Sequence, residues 1–408
     1  MPAPRSLLSE ASSQSTSNPL AMAPWTVDFV VRGPPSNDLG IPWFAAWQLM
    51  QGLGLRGHRV RGIFPSRSQE EITAPSHVEV VPFPDLVEEN GSVEAERNLV
   101  RAAGEQIAPT TDLVVRWPLG MSSLPLSAGR RAAGPRVCGV VESVGLAEWD
   151  TSSAKDPPGG LRDRLGRWRN RRAIKHAESE ALHQASVIFA RSDIEREMLH
   201  HYFGTPKERV ESLPPGIPDP PADLDRTQAR RALQLPLDDP VVAFAARPDR
   251  FLEDGGDLAL EAFRRIRVFF PGAKFLAIGA APPKSESGVK AALSAELPNL
   301  SKAFAAADVT IFPSRTGGLH PFAPFAMRFG RAVIVSHTLA LPGSPPKGVA
   351  RVVLTDDVGD YASELADLLA DPAGQRAMGQ RAKTYADALS FQEAGAQWER
   401  SFASVLPR

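Results

Sequence analysis

Residues 307–336 read ADVTIFPSRTGGLHPFAPFAMRFGRAVIVS, and this stretch decides the fold. DVTIFPS (308–314) is a short run of β-branched and aromatic residues, the composition of a buried strand. A loop with a Gly-Gly pair follows, then an apolar helical stretch over 321–329, then a second strand, RAVIVS (331–336). A strand, loop, helix and strand in such quick succession imply a parallel sheet with helices on its faces.

The same alternation extends outward. Upstream lie VVAFAARP (241–248), a helix over 257–268, KFLAIGA (274–280) and a helix near 300–307; downstream, helical segments run from 357 onward, broken by DPAG (371–374). The first half opens with TVDFVV (26–31), the loop RGPPSNDLG (32–40) and a helix over 42–55 that ends in GLRGHRV. HRVRGIF (58–64), HVEVVPF (77–83), DLVVRW (112–117), RVCGVVES (136–143) and SVIFARS (186–192) read as further strands, with a helix over 193–202. The prolines of GTPKERVESLPPGIPDPPADLD (204–225) speak against a continuing helix or a central strand, so this segment reads as the interdomain linker. The expected fold class is α/β, with two doubly wound parallel-sheet lobes. The expected boundaries are a disordered tail over 1–22, a first domain over 23–214, a second over 215–387, and a C-terminal helix over 388–408 that packs back on the first.

Composition narrows the function. The 408 residues suit two domains, each with its own core. A net charge of −1 gives no global pull toward nucleic acid. The single cysteine, Cys138, excludes an internal disulfide and any multi-thiolate metal site, and its apolar surroundings make it core filler in a reducing cytoplasm. No stretch approaches the roughly 20 apolar residues that span a bilayer, and the Ser-, Ala- and Pro-rich start lacks the apolar core of a signal peptide.

The order and spacing of these segments resemble the large retaining glycosyltransferase family four, from about Val27 to Phe402. Four stretches carry the resemblance: SNDLGIPWFAAWQLMQGLGLRGHRV (36–60), FARSDIEREMLHHYFGTPKERVESLPPGIPD (189–219), AARPDRFLEDGGDLALEAFRRI (245–266) and residues 307–336. The resemblance implies a GT-B fold, two Rossmann-like domains facing a cleft, with a nucleotide sugar in the second lobe and an acceptor in the first. It also exposes departures. The two glutamate positions of the family, which contact the transferred sugar and the ribose, fall on Gly317 and Phe325. Arg247 occupies the arginine position that faces the diphosphate, but Asp254 or a neighbour stands where the partner lysine belongs. The family's histidine near the reacting sugar maps close to Glu142, and a second falls near Arg116.

Retaining transfer without a covalent intermediate chiefly needs the substrates held together and the leaving diphosphate neutralised. The resemblance places donor contacts at Arg247 and at the Gly317-Gly318 turn, and Ser314, Arg315 and His320 are candidates to replace the lost contacts by their proximity on the same loop. A Gly-Gly turn before a helix can aim backbone N–H groups at phosphate, although it also reads as a plain tight turn. His320 reads equally as a satisfied core or surface histidine. Asn37, Asp38 and Gly40 lie where the family holds donor phosphate and acceptor; a simple helix cap is the alternative. Glu142 and Arg116 are the catalytic candidates, with Glu142 orienting an acceptor hydroxyl or acting as base, or else merely pairing with an arginine. No Asp-x-Asp motif stands where a metal-dependent transferase needs one, so neither a metal nor a cofactor is expected beyond the nucleoside-diphosphate sugar itself.

LRDRLGRWRNRRAIKHAE (161–178) is strongly basic, with Leu161, Leu165 and Trp168 on one helical face. Such a helix can lie on an anionic membrane through Arg162, Arg164, Trp168 and Arg172, which would put the protein at the inner face of the cytoplasmic membrane; a solvated face is the alternative. The leading expectation is a glycosyltransferase acting on a saccharide, lipid-linked or protein acceptor. The alternative is an inactive GT-B pseudoenzyme that binds a partner or an acceptor. A sugar-nucleotide epimerase is third, and the ionisable cleft residues it needs are not evident.

Overall fold

A computed structural model describes residues 24–36, 39, 44–66, 74–84, 102–117, 136–141, 159–247, 250–279, 286–315, 318–343 and 345–406. In the first half, β1 (Thr26–Val31), α1 (Phe44–Leu55), β2 (Arg59–Ser66), β3 (Val78–Pro84), β4 (Leu113–Trp117) and β5 (Arg136–Val141) are followed by the long helix α2 (Leu161–Gln184), β6 (Val187–Ala190), α3 (Asp193–Phe203) and β7 (Val210–Ser212). The strands form one parallel sheet in the order β3-β2-β1-β4-β5-β6-β7.

The second half contains α4 (Arg226–Ala232), β8 (Val241–Ala245), α5 (Gly256–Ile266), β9 (Lys274–Ile278), β10 (Val289–Leu293), α6 (Leu297–Ala306), β11 (Val309–Phe312), β12 (Gly318–Leu319), α7 (Phe322–Arg328), β13 (Ala332–Ser336), β14 (Leu339–Ala340) and β15 (Arg351–Val353). Its parallel sheet runs β10-β9-β8-β11-β13-β15, and β12 pairs separately with β14. Three helices close the chain: α8 (Val358–Ala370), α9 (Pro372–Asp387) and α10 (Phe391–Val405). Two Rossmann-like α/β lobes are therefore present, as the strand–helix alternation implies.

Among the elements that sequence reading missed, β7, inside the proline-rich stretch, and β15 are three-residue edge strands, and β12 and β14 are two-residue pieces, all too short for a periodic signal; β10 and α4, of five and seven residues, were missed as well. β7 ends just before Pro214, where a strand with one free edge tolerates proline nearby.

Strand alternation sorts the first sheet into two faces. Val27, Phe29, Val31, Leu113, Val115 and Trp117 share one core with α1 and α10. Asp28 points the other way, fully buried, and accepts from Arg61 Nε and Nη2 at 2.8 Å and from Thr111 Oγ1 at 2.7 Å. α10 adds Trp398 and Phe402 to the core of the first lobe: Trp398 packs 4.8 Å from Phe189 and 5.7 Å from Trp117, and its Nε1 donates to the Pro214 carbonyl at 3.1 Å. In the second lobe, Arg230 is wholly buried yet paired with Asp308 at 2.7 Å.

Candidate functional site

In each sheet the strand order reverses once: between β1 and β4 in the first, and between β8 and β11 in the second. A doubly wound sheet opens a ligand crevice at the carboxyl ends of the strands on either side of such a reversal. The site residues expected from sequence fall largely on the loops that leave these strands. Asn37, Asp38 and Gly40 after β1, Glu142 after β5, and Gly317 lie outside the described residues. Arg116 is the penultimate residue of β4, Arg247 lies two residues beyond β8, and Ser314, Arg315, Gly318 and His320 follow β11. The fold thus gathers Arg247, Ser314, Arg315, Gly318 and His320 at one end of the second sheet and puts Arg116 on the other sheet.

Arg247 is bound to Asp254. Its backbone N–H donates to Asp254 Oδ2 at 2.7 Å, and its Nη2 donates to Oδ1 at 2.5 Å. Asp254 is fully buried, on the turn before α5, while the Arg247 side chain keeps 22% of its surface exposed. That turn needs Gly255: φ is +81°, and a Cβ there would sit 1.9 Å from the Pro313 carbonyl oxygen. His320 completes the cluster, with Nε2 3.6 Å from Asp254 Oδ2, beyond hydrogen-bond length. Among the described residues neither ring nitrogen of His320 has a hydrogen bond. Burial lowers the His320 pKa more than Asp254 restores it, which favours the neutral imidazole. Burial pushes Asp254 upward, but His320 and Arg247 outweigh it and hold the carboxyl well below the usual carboxylate range.

The interactions of Arg315 tie two loops together. It grips Asp257 at 2.5 and 2.8 Å, donates to the Leu252 carbonyl at 2.7 Å, and its backbone N–H donates to Glu253 at 2.9 Å. Ser314 is buried, and its carbonyl accepts from Ser336 and Thr338 at 2.7 and 2.6 Å. Gly318, at φ +114°, begins β12, and α7 starts at Phe322 with Pro321 as its N-cap, where a helix beginning near Pro321 is expected. Phe325, at the second glutamate position, faces inward against Phe304 and Phe329 at 6.0 and 5.2 Å. A benzyl group on that side of α7 extends the hydrophobic core, where a carboxylate would be left without water.

Two contributors escaped sequence reading. Asp257 looks like an ordinary first-turn helix acid until Arg315 is seen to meet it. Glu195 has the Ser-x-x-Glu spacing of a capping box, and Ser192 does cap its backbone. Its buried carboxylate, however, pairs with Arg191 at 2.8 Å and meets the Leu319 backbone amide, joining the first lobe to the loop that carries His320. A parallel bridge between Ser192 and Gly343 joins the lobes nearby.

In the first lobe, α2 bears the basic face. Leu165 and Trp168 are more than half exposed, and the Arg172 guanidinium lies 5.4 Å from the Trp168 ring centre. A groove of about 580 Å³ runs along Trp168, Arg172, Lys175 and His176. Among the described residues no helix is long and apolar enough to cross a membrane.

The chain is similar to known proteins in sequence and in fold. The family described as Glycosyltransferase Family 4 matches residues 45–219, and that described as Glycosyl transferases group 1 matches 239–371. Proteins named D-inositol 3-phosphate glycosyltransferase are 26% identical over 237 residues in Segniliparus rotundus (53% of this chain, 51% of that one) and 24% identical over 328 residues in Thermobifida fusca (72% and 70%). The chain spans about half the length of the first of these relatives. Among solved structures, sucrose-phosphate synthase from Thermosynechococcus elongatus superposes with a TM-score of 0.74 at 19% identity, covering 93% of this chain and 99% of that one. Anabaena HepE in complex with UDP and glucose gives 0.65 at 13% identity, covering 93% and 99%. At these identities the structures establish a shared fold.

Proposed function

We propose that the chain, whose two halves match the Glycosyltransferase Family 4 and Glycosyl transferases group 1 models, is a glycosyltransferase of the GT-B fold that moves a sugar from a nucleoside-diphosphate sugar to a saccharide, lipid-linked or protein acceptor. The observation that carries this reading is the position of Arg247 at the strand reversal of the second sheet, with part of its side chain exposed. Such a group can bind the leaving phosphates while the first lobe presents the acceptor. Catalysis would rest on positioning and charge, with no divalent metal required. The names of the relatives, and the UDP and glucose bound to HepE, support a nucleotide-linked donor.

Calorimetric titration with nucleoside diphosphates tests the reading. Binding at micromolar to millimolar ligand is expected, and no heat at millimolar concentration with any base would overturn it.

One observation favours a second reading. Asp254 neutralises Arg247, and a core phenyl fills the Phe325 position, so the lobe could bind a partner or an acceptor without turnover. Nucleotide binding without release of free sugar or transfer product would select it.

For location, the exposed Leu165 and Trp168 set among arginines on α2 support peripheral attachment to an anionic bilayer, at the inner face of the cytoplasmic membrane.

A further inference from the structure

Two basic side chains from different segments meet the buried Asp254 carboxylate. Arg247, beyond β8, engages it through its backbone N–H and its guanidinium, and His320, just after β12, stands with Nε2 3.6 Å from the same Oδ2 that takes the Arg247 amide. Aromatic rings flank the imidazole: Phe312 of β11 lies 5.2 Å and Phe322 of α7 5.4 Å from it, centre to centre. His320 is 2% exposed, and among the described residues neither ring nitrogen has a hydrogen bond. Among those residues, the charged groups that act on it are Asp254, from the turn before α5, and Arg247. β14, paired with β12, contributes Leu339 and Ala340, and α3 brings Glu195, paired with Arg191, to the amide of the neighbouring Leu319.

This arrangement constrains what Arg247 can do. Its side chain keeps 22% of its surface exposed, but turning the guanidinium outward to a diphosphate would withdraw the counter-charge from a wholly buried carboxylate. Such a stranded charge is strongly destabilising. A proton on His320 removes the obstacle. The imidazolium carries a full charge and donates from both nitrogens, so it can close the 3.6 Å gap and hold Asp254 while Arg247 turns away. Incoming phosphates favour the charged ring further. In the free protein burial keeps the imidazole neutral, so the proton arrives with the ligand.

We propose that His320 is a positioning residue for the donor diphosphate: it takes up a proton as the nucleotide binds and holds Asp254, which releases Arg247 to the phosphates. This rests on the reading of the second lobe as the nucleotide-sugar side and makes donor binding proton-linked.

Calorimetric titration of the full chain with UDP, GDP and ADP, in paired buffers of different ionisation enthalpy at pH 7, 8 and 9, counts the protons exchanged. Wild type should take up protons, most at pH 7 and approaching about one per nucleotide, and its affinity should fall by up to about tenfold per pH unit. His320→Gln keeps an amide in the same place but does not titrate. It should bind without proton uptake and with an affinity that pH leaves flat. Asp254→Asn removes the carboxylate that the proton serves and should lose the uptake too, so it decides the question if His320→Gln fails to fold. Nucleotide binding with no proton uptake in wild type, or with uptake undiminished in either variant, overturns the proposal and leaves the donor reading standing. No heat from any of the three diphosphates at any pH overturns the donor reading, and the proposal with it.

Discussion

The Asp254 carboxylate, wholly buried, takes both the backbone N–H and the guanidinium of Arg247, at 2.7 and 2.5 Å, so the most exposed cation of the candidate donor site is neutralised from beneath. Removing the acid should therefore free the charge. Asp254→Asn is expected to tighten nucleoside-diphosphate binding, whereas Arg247→Ala should weaken it by roughly 1.5–3 kcal/mol, the range for a hydrogen bond to a charged group. Isothermal calorimetry reads both. Equal affinities in all three proteins would remove the pair from the site.

Arg247→Ala also leaves Asp254 buried without its main partner. Stranding a buried charge costs about 3–5 kcal/mol, visible as a lower urea midpoint. Arg247→Ala together with Asp254→Ala should recover most of that loss, and a double variant no more stable than Arg247→Ala would contradict the pairing.

His320 sets a pH dependence. Its folded pKa lies below its unfolded value of about 6.5, so the unfolded chain takes up a proton first as pH falls. Stability should then drop from pH 6.5 downward, until the folded imidazole also titrates. The Asp254 carboxyl, also depressed, loses its contribution only at more acid pH, below about 4. Glu195 works in the opposite sense: its pKa is raised by burial against the pull of Arg191, so its effect is a loss of stability as pH climbs above about 4.5. Denaturant melts from pH 5 to 8 on wild type and His320→Asn isolate the histidine; parallel curves would refute this assignment.

Trp398 anchors the last helix in the first lobe between Trp117 and Phe189. Trp398→Ala should cost about 3–5 kcal/mol, the usual range for emptying a large aromatic site. The loss should appear in chemical denaturation of the whole chain, and a change below 1 kcal/mol would mean that α10 docks weakly.

On α2, Trp168→Ala combined with Arg164→Gln and Arg172→Gln should abolish co-flotation with anionic vesicles, since each basic side chain near such a surface is worth about 1 kcal/mol. Wild-type protein that ignores lipid charge would leave a solvated face.

The sequence by itself determined the architecture. Alternating apolar runs and helical stretches from TVDFVV to RAVIVS dictate two parallel-sheet lobes, because the period of the hydrophobic pattern is local and survives without knowledge of the partner strand. It also located Arg247 and the Ser314–His320 loop at strand ends. Only the tertiary structure decided what these residues do. Arg315 became a loop tie, Phe325 became core, and Arg247 acquired a buried counter-ion. Ion pairing and burial depend on which distant segments meet, as Glu195 and Leu319 do across the lobes, and no periodicity in a single chain encodes that meeting.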